Sequence, residues 1–245
     1  MKNSEEESKR KLSIDAEIIP TRTIIVSAAV LYILIAVAAV VAHMYVPTTL
    51  FETVQSGQGG QTIAGTPGIA AAVSGSSRLW ILGGAGGEMV ILLSEVILSV
   101  LLFIIFAQVD RPVAILSMVA RLVMTTIHGF NLIFYFAALS FARQGSDAAV
   151  GTLIELHGIG FTIGIAFLVI HMFALGYLMW KSPFIPRWIA VLFLLAGIGY
   201  LIDSVGQLFI SGYATTPAPV AVAIALAELI FPFWLLIRGR RRILA

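Results

Sequence analysis

Six stretches of predominantly apolar residues divide this chain, at about 23–46, 79–107, 113–142, 151–180, 187–211 and 218–238. A helix rises about 1.5 Å per residue, so roughly 20 apolar residues carry it across a hydrocarbon layer about 30 Å thick. Each stretch meets that length. The sequence therefore predicts an all-α fold, a polytopic transmembrane helical bundle of six spans. Composition agrees. Of 245 residues, 59% are hydrophobic and only 11% charged, with a mean hydropathy of +1.00, whereas soluble domains carry roughly 25% charged residues. An ordinary soluble domain, a disordered chain and a coiled coil are excluded.

Helix punctuation places the boundaries. Pro112 opens the third stretch, Pro183 and Pro186 precede the fifth, and Pro217 and Pro219 precede the sixth. Pro232 falls inside the sixth and predicts a kink there. Residues 1–22 form a charged tail, and 239–245 a basic C-terminus. The first apolar stretch exceeds the roughly 7–15 residues of a signal-peptide core, so it reads as a retained span. The connection 47–78 is Gly-rich, and Ile69–Val73 within it reads as a short interfacial helix. The second span opens on Gly83-Gly84-Ala85-Gly86-Gly87. Such a run fits either a broken helix or close helix packing.

Basic residues orient the bundle. With a cytosolic N-terminus, only Arg78 and Arg143 of the 15 lysines and arginines fall outside, and Arg121 alone lies within a span. Both termini are then cytosolic, as an even number of spans requires. The expected location is the cell (plasma) membrane, multi-pass, with the lipid bilayer as principal partner. A homo-oligomer is compatible with the sequence. The net charge of +2 gives no argument for nucleic acid.

Charged groups inside a membrane are costly, about 2.5–3.5 kcal/mol each on insertion scales, and they mark interior or functional surfaces. This chain has Glu88 and Glu95 on span two, Arg121 and His128 on span three, and Glu155, His157 and His171 on span four. Asp203 lies on span five and Glu228 on span six. Their spacing makes stripes. Glu88 and Glu95 share one helical face. Arg121, Thr125 and His128 form a second, with Asn131 at its edge, and Tyr200, Asp203 and Gln207 a third. His157, Gly160, Gly164 and His171 form a groove with a histidine at each end. Five carboxylates face one guanidinium, so acids beyond the reach of Arg121 should be protonated, paired with histidine, hydrated or bound to a cation. Arg121 is expected within salt-bridge reach of Glu95 or Glu228. Asn131, His157, His171 and Asp203 are expected to converge on one interior space, with Asp203 nearer His157 than His171.

Enzyme signatures are missing. There are no cysteines, and hence no disulfides, thiolate metal ligands or thiol nucleophiles. No lysine lies within a span to form a retinal Schiff base. No HExxH or Gly-x-Ser-x-Gly motif is present. No catalytic or metal-ligating residue is assigned, and no cofactor is expected. The one cofactor alternative is haem between histidine pairs drawn from His43, His128, His157 and His171.

Several segments together resemble a known family. They are Arg121-Leu122, Gly129-Phe130-Asn131-Leu132, Leu156-His157-Gly158-Ile159-Gly160-Phe161 and His171. Gly176-Tyr177-Leu178, Pro186-Arg187, Ala196 to Ser204, and Glu228 with Trp234-Leu235-Leu236 complete the set. The chain resembles the prokaryotic integral membrane family DUF4386 from about Thr21 to Arg238. The Gly-rich start of span two and the charged tail depart from its pattern. The resemblance implies a multi-span bacterial or archaeal membrane protein and no particular activity. It adds weight to Arg121, Asn131, His157, His171, Asp203 and Glu228.

The functional expectation is a membrane-embedded binding protein for a small solute, or a proton- or cation-coupled transporter. Its candidate binding residues are Glu95, Arg121, His128, Asn131, His157, His171, Asp203 and Glu228. The alternatives are a structural or partner-binding membrane subunit, whose polar groups only fix packing, and a haem-binding electron carrier.

Overall fold

A computed structural model describes residues 20–45, 68–75, 80–213 and 217–239. The N-terminal tail up to residue 19, most of the connection 47–78 and the basic C-terminus beyond residue 239 lie outside the described residues. The side chain of His43 also lies outside them. Seven α-helices follow in order, α1 (Arg22–Ala39), α2 (Ile69–Gly75), α3 (Gly86–Phe106), α4 (Arg111–Ala142), α5 (Asp147–Lys181), α6 (Arg187–Phe209) and α7 (Ala218–Trp234). All but α2 are long and apolar enough to cross a membrane. This is the architecture of a multi-pass integral membrane protein. Wider π-helical turns extend α1 (Val40–Tyr45), lead into α3 (Trp80–Ala85) and follow α7 (Leu235–Gly239).

The helix ends are set locally. Thr21 caps α1 by accepting from the Ile24 N–H at 3.4 Å. Asp110 caps α4 by accepting from Val113 at 3.3 Å, with Pro112 in the first turn, where no N–H is needed. Between α4 and α5 the chain reverses in four residues. Gly145 takes φ +73° there, a conformation that side chains disfavour, and the Ser146 N–H returns to the Phe141 carbonyl at 3.2 Å. Pro232 lies within α7, and the widened turn Leu235–Gly239 follows it.

The six long helices form a closed ring. Each packs against its neighbour in sequence, and α7 returns to pack against α1. The ends carrying Arg22, Arg111, Lys181, Arg187 and Arg238 lie together. A Cβ on Gly239 would stand 3.6 Å from the Ile25 side chain, and Tyr177 donates to Asp110 at 3.5 Å. At this basic end the ring is filled by Ile25, Phe106, Phe184, Ile189, Phe231 and Leu235, all buried. At the opposite end a second apolar cluster joins Ile69 and Val73 of α2 to Tyr135, Leu139 and Val150. The outward faces are apolar too. Phe130 is 68% and Phe209 79% exposed, as side chains bathed in lipid would be.

Two glycine-rich features resolve into close packing. A Cβ on Gly84 would stand 2.7 Å from the Tyr135 ring, and one on Gly87 would stand 3.0 Å from the Ala42 Cβ. The glycines at the start of span two thus let α1 and α4 approach α3. The short helix expected at Ile69–Val73 extends to Gly75 and docks on α4 and α5. Its first turn is held by Asp147, whose carboxylate accepts from the N–H groups of Gly68 at 3.0 Å and Ala70 at 2.8 Å.

Candidate functional site

Helix geometry brings four intramembrane polar residues to one depth. Tyr32 is ten residues from Arg22, Arg121 ten from Arg111, His171 ten from Lys181 and Glu228 ten from Arg238. Each therefore lies about 15 Å from the basic end of the ring, half the thickness of a bilayer core.

Arg121 is the centre of this layer. Its Nε and one terminal nitrogen fork onto the two carboxylate oxygens of Glu95, the latter at 2.9 Å. Its other terminal nitrogen donates to the Tyr32 hydroxyl at 3.1 Å and to His171 Nε2 at 2.8 Å. Four of the five guanidinium N–H donors are thereby used. The Tyr32 ring also lies beneath the guanidinium carbon, 5.0 Å from the ring centroid. An arginine can only donate, so His171 Nε2 accepts. Its proton is left on Nδ1, 3.0 Å from the Ser117 carbonyl. The network ties α1, α3, α4 and α5 together, and all four side chains are buried. A charge held this way is matched in sign and in hydrogen bonds, the condition for a buried ion pair to persist.

Across the ring Tyr200 of α6 donates to a carboxylate oxygen of Glu228 on α7. Between these two groups lies a cavity of about 130 Å³. Glu95, Arg121, Tyr32, Tyr200 and Glu228 border it at mid-depth, and Glu88, His128 and Phe161 towards the end away from the basic residues. Apolar packing of Phe193 on Phe231, with ring centroids 5.3 Å apart, and of Phe231 on Tyr32 at 5.7 Å stands beside it.

The eight candidates therefore separate. Glu95, Arg121, His128 and Glu228 line the cavity, and His171 braces Arg121 from behind. Asn131 and His157 meet elsewhere, on the seam between α4 and α5. There the Asn131 amide donates to the His157 carbonyl at 2.7 Å, and Tyr135 packs edge-on to the imidazole at 4.4 Å. Asp203 accepts from Gln207 at 2.8 Å and from Tyr213 at 2.9 Å. Gln207 in turn accepts from Thr162. Among the described residues the expected convergence of Asn131, His157, His171 and Asp203 does not occur, and the Asp203 carboxylate is bonded to Gln207 and Tyr213 where His157 was expected. His157 and His171 are 14 residues apart, about 21 Å along α5, so no single space reaches both. Asp203 finds donors on its own helix and in the turn after it. Tyr213, beyond the end of α6, has its phenol held above the usual range by desolvation and by the Asp203 carboxylate it donates to.

The glycine groove on α5 is occupied by α4. A Cβ on Gly160 would stand 2.2 Å from Asn131 Oδ1, and one on Gly164 would stand 2.2 Å from His128 Nε2. His128 stacks on Phe161 with ring centroids 4.5 Å apart, and its Nε2 lies 3.0 Å from the Phe161 carbonyl.

Sequence reading alone passed over Tyr32 and Ser117. Ser117 had a signal, since it extends the Arg121–Thr125–His128 stripe by one turn. Tyr32 is a lone hydroxyl in an apolar span, a pattern common enough to carry little information. Among the described residues no group of three or more His, Asp or Glu side chains is placed to hold a metal ion.

The family described as "Domain of unknown function (DUF4386)" matches residues 27–239. A protein of Archaeoglobus fulgidus, described as uncharacterized, is 29% identical over 155 residues, covering 63% of this chain and 83% of its own. No solved structure matches. The chain belongs to the DUF4386 family, and the resemblance carried by its motifs is confirmed.

Proposed function

We propose that this DUF4386 protein is a membrane-embedded small-solute binding protein of the prokaryotic plasma membrane, acting as a proton- or cation-coupled transporter. The observation that carries the reading is the cavity at mid-depth of the closed ring, with ionisable groups on both sides of it. Transporters place substrate and coupling-ion sites near the bilayer midplane. In this reading Arg121 and Glu95 form a fixed wall, because their charges already satisfy one another. Glu228 is the exchangeable group, a carboxyl whose partner is a tyrosine hydroxyl rather than a cation. The apolar fill at the basic end closes the cavity on that side. In this reading access is from the opposite face, which the distribution of basic residues assigns to the outside.

A thermal-shift screen of small solutes on the detergent-purified protein tests this. A ligand at about 100 times its Kd adds about 2.7 kcal/mol, or roughly 5–10 °C for a chain of this size. Ala36 borders the cavity on α1, so Ala36→Leu should fill the space and abolish the shift. A panel without a hit, together with an unchanged or raised Tm in Ala36→Leu, would refute the reading.

A second reading has its own support. The Arg121 network spans four helices with four of its five donors used, which suits a packing device. A structural or partner-binding subunit would need nothing more. It predicts that Glu228 and Ala36 are replaceable without consequence beyond stability.

A further inference from the structure

We propose that the ligand of the central cavity is a small organic cation, an ammonium group on a compact hydrocarbon body, held with its charge at Glu228. The inference rests on the reading of this cavity as a solute site and names the chemistry of the solute.

The charge balance of the lining comes first. Arg121 borders the cavity but is forked onto Glu95 and further bonded to Tyr32 and His171. It has little left to offer an anion. Glu228 is differently placed. One of its oxygens accepts from Tyr200, a neutral hydroxyl rather than a cation. Its carboxylate thus offers an acceptor at mid-membrane. Such a position selects a donor, and a positively charged one binds best.

The rest of the lining selects the body of that donor. Ile35, Met124, Ile165, Leu168 and Met172 present carbon. A bare inorganic cation such as Ca²⁺ or Mg²⁺ takes about six or more oxygen ligands, which such walls cannot supply. A cation that carries its own hydrocarbon satisfies both halves of the surface. Aromatic rings of Tyr32, Phe161, Phe193 and Tyr200 also border the space, and ring faces attract alkylammonium groups. Size sets the upper limit. At about 130 Å³ the cavity is well below the roughly 300–1,000 Å³ of drug-sized sites, so the ligand has only a handful of heavy atoms.

Three compounds of nearly one shape and different charge provide the test: tert-butylammonium, tert-butanol and pivalate. Each is titrated into the detergent-solubilised protein, with calorimetry and thermal shift as readouts. We expect tert-butylammonium to bind at least about tenfold tighter than tert-butanol, the margin of one charge-assisted hydrogen bond, and pivalate to bind weakest. Glu228→Gln should remove the tenfold preference while leaving weak binding of the alcohol. Glu155→Gln, at an exposed position outside the cavity, should leave the preference intact. The order of the three compounds on the unaltered protein needs no variant, so it decides the matter even if Glu228→Gln fails to fold. Equal binding of all three, or preference for pivalate, would overturn the cation assignment and leave a solute site standing. A cation preference that survives Glu228→Gln would overturn the role of Glu228. No binding of any of the three, with no hit in the wider solute screen, would remove the site itself.

Discussion

Replacing Arg121 by methionine would leave the Glu95 carboxylate in the middle of the ring without its counter-charge. Glu95 and Arg121 are each only 4% exposed, so bulk solvent does not replace the lost partner. Breaking a buried pair by removing one partner costs about 3–5 kcal/mol. For a chain of this size that corresponds to a fall in Tm of about 6–20 °C. Glu95→Met should cost a similar amount, because it strands the guanidinium. The double variant is the informative one. It removes both charges together and fills their volume with hydrocarbon, an exchange that is often neutral. What it leaves behind is the Tyr32 hydroxyl and His171 Nε2 without their donor, at about 1–3 kcal/mol each where no other partner is found. The double variant should therefore be more stable than the sum of the singles predicts, with a coupling of at least about 2 kcal/mol. Thermal and SDS unfolding of the four proteins in detergent micelles closes the cycle. Additive losses, or an Arg121→Met variant within about 1 kcal/mol of the parent, would refute the argument that this pair holds the ring together.

Glycine replacements on α5 should sort by what faces them. Gly160→Ala and Gly164→Ala drive a methyl into Asn131 and His128 and should each cost about 1–3 kcal/mol, whereas Gly158→Ala meets nothing within 4 Å and should be neutral or stabilise by up to about 1 kcal/mol. Thermal unfolding of the three variants compares them directly. For orientation, the chain has no native cysteine, so single cysteines report cleanly. Gln144→Cys and Pro183→Cys, both at exposed positions at opposite ends of α5, should be labelled by an impermeant maleimide in intact cells only at residue 144. Labelling at residue 183 instead would invert the topology and with it the side from which the cavity is reached.

The six spans and their ends follow from the sequence by itself, because the determinants are local. Twenty apolar residues are a helix length whatever lies beside them, and Thr21, Asp110, Pro112 and Pro186 act within one turn of where they stand. The need of Arg121 for an acid was equally legible, since an unpaired guanidinium at that depth is too costly to leave. Which acid it takes was not. Glu95 and Glu228 lie at nearly the same depth, 11 residues from Phe106 and ten from Arg238, and periodicity fixes depth far better than it fixes the order of helices around a ring. Only the packed ring sets Glu95 on the guanidinium and turns Glu228 to Tyr200. The same limit explains the convergence that failed. A stripe on one helix tells which side chains share a face, and His157 and His171 share one with Gly160 and Gly164. It does not tell that α4 fills the groove between them with Asn131 and His128. The cavity belongs wholly to the tertiary structure. It exists because α7 closes back on α1, a contact between the two ends of the chain that no local pattern encodes.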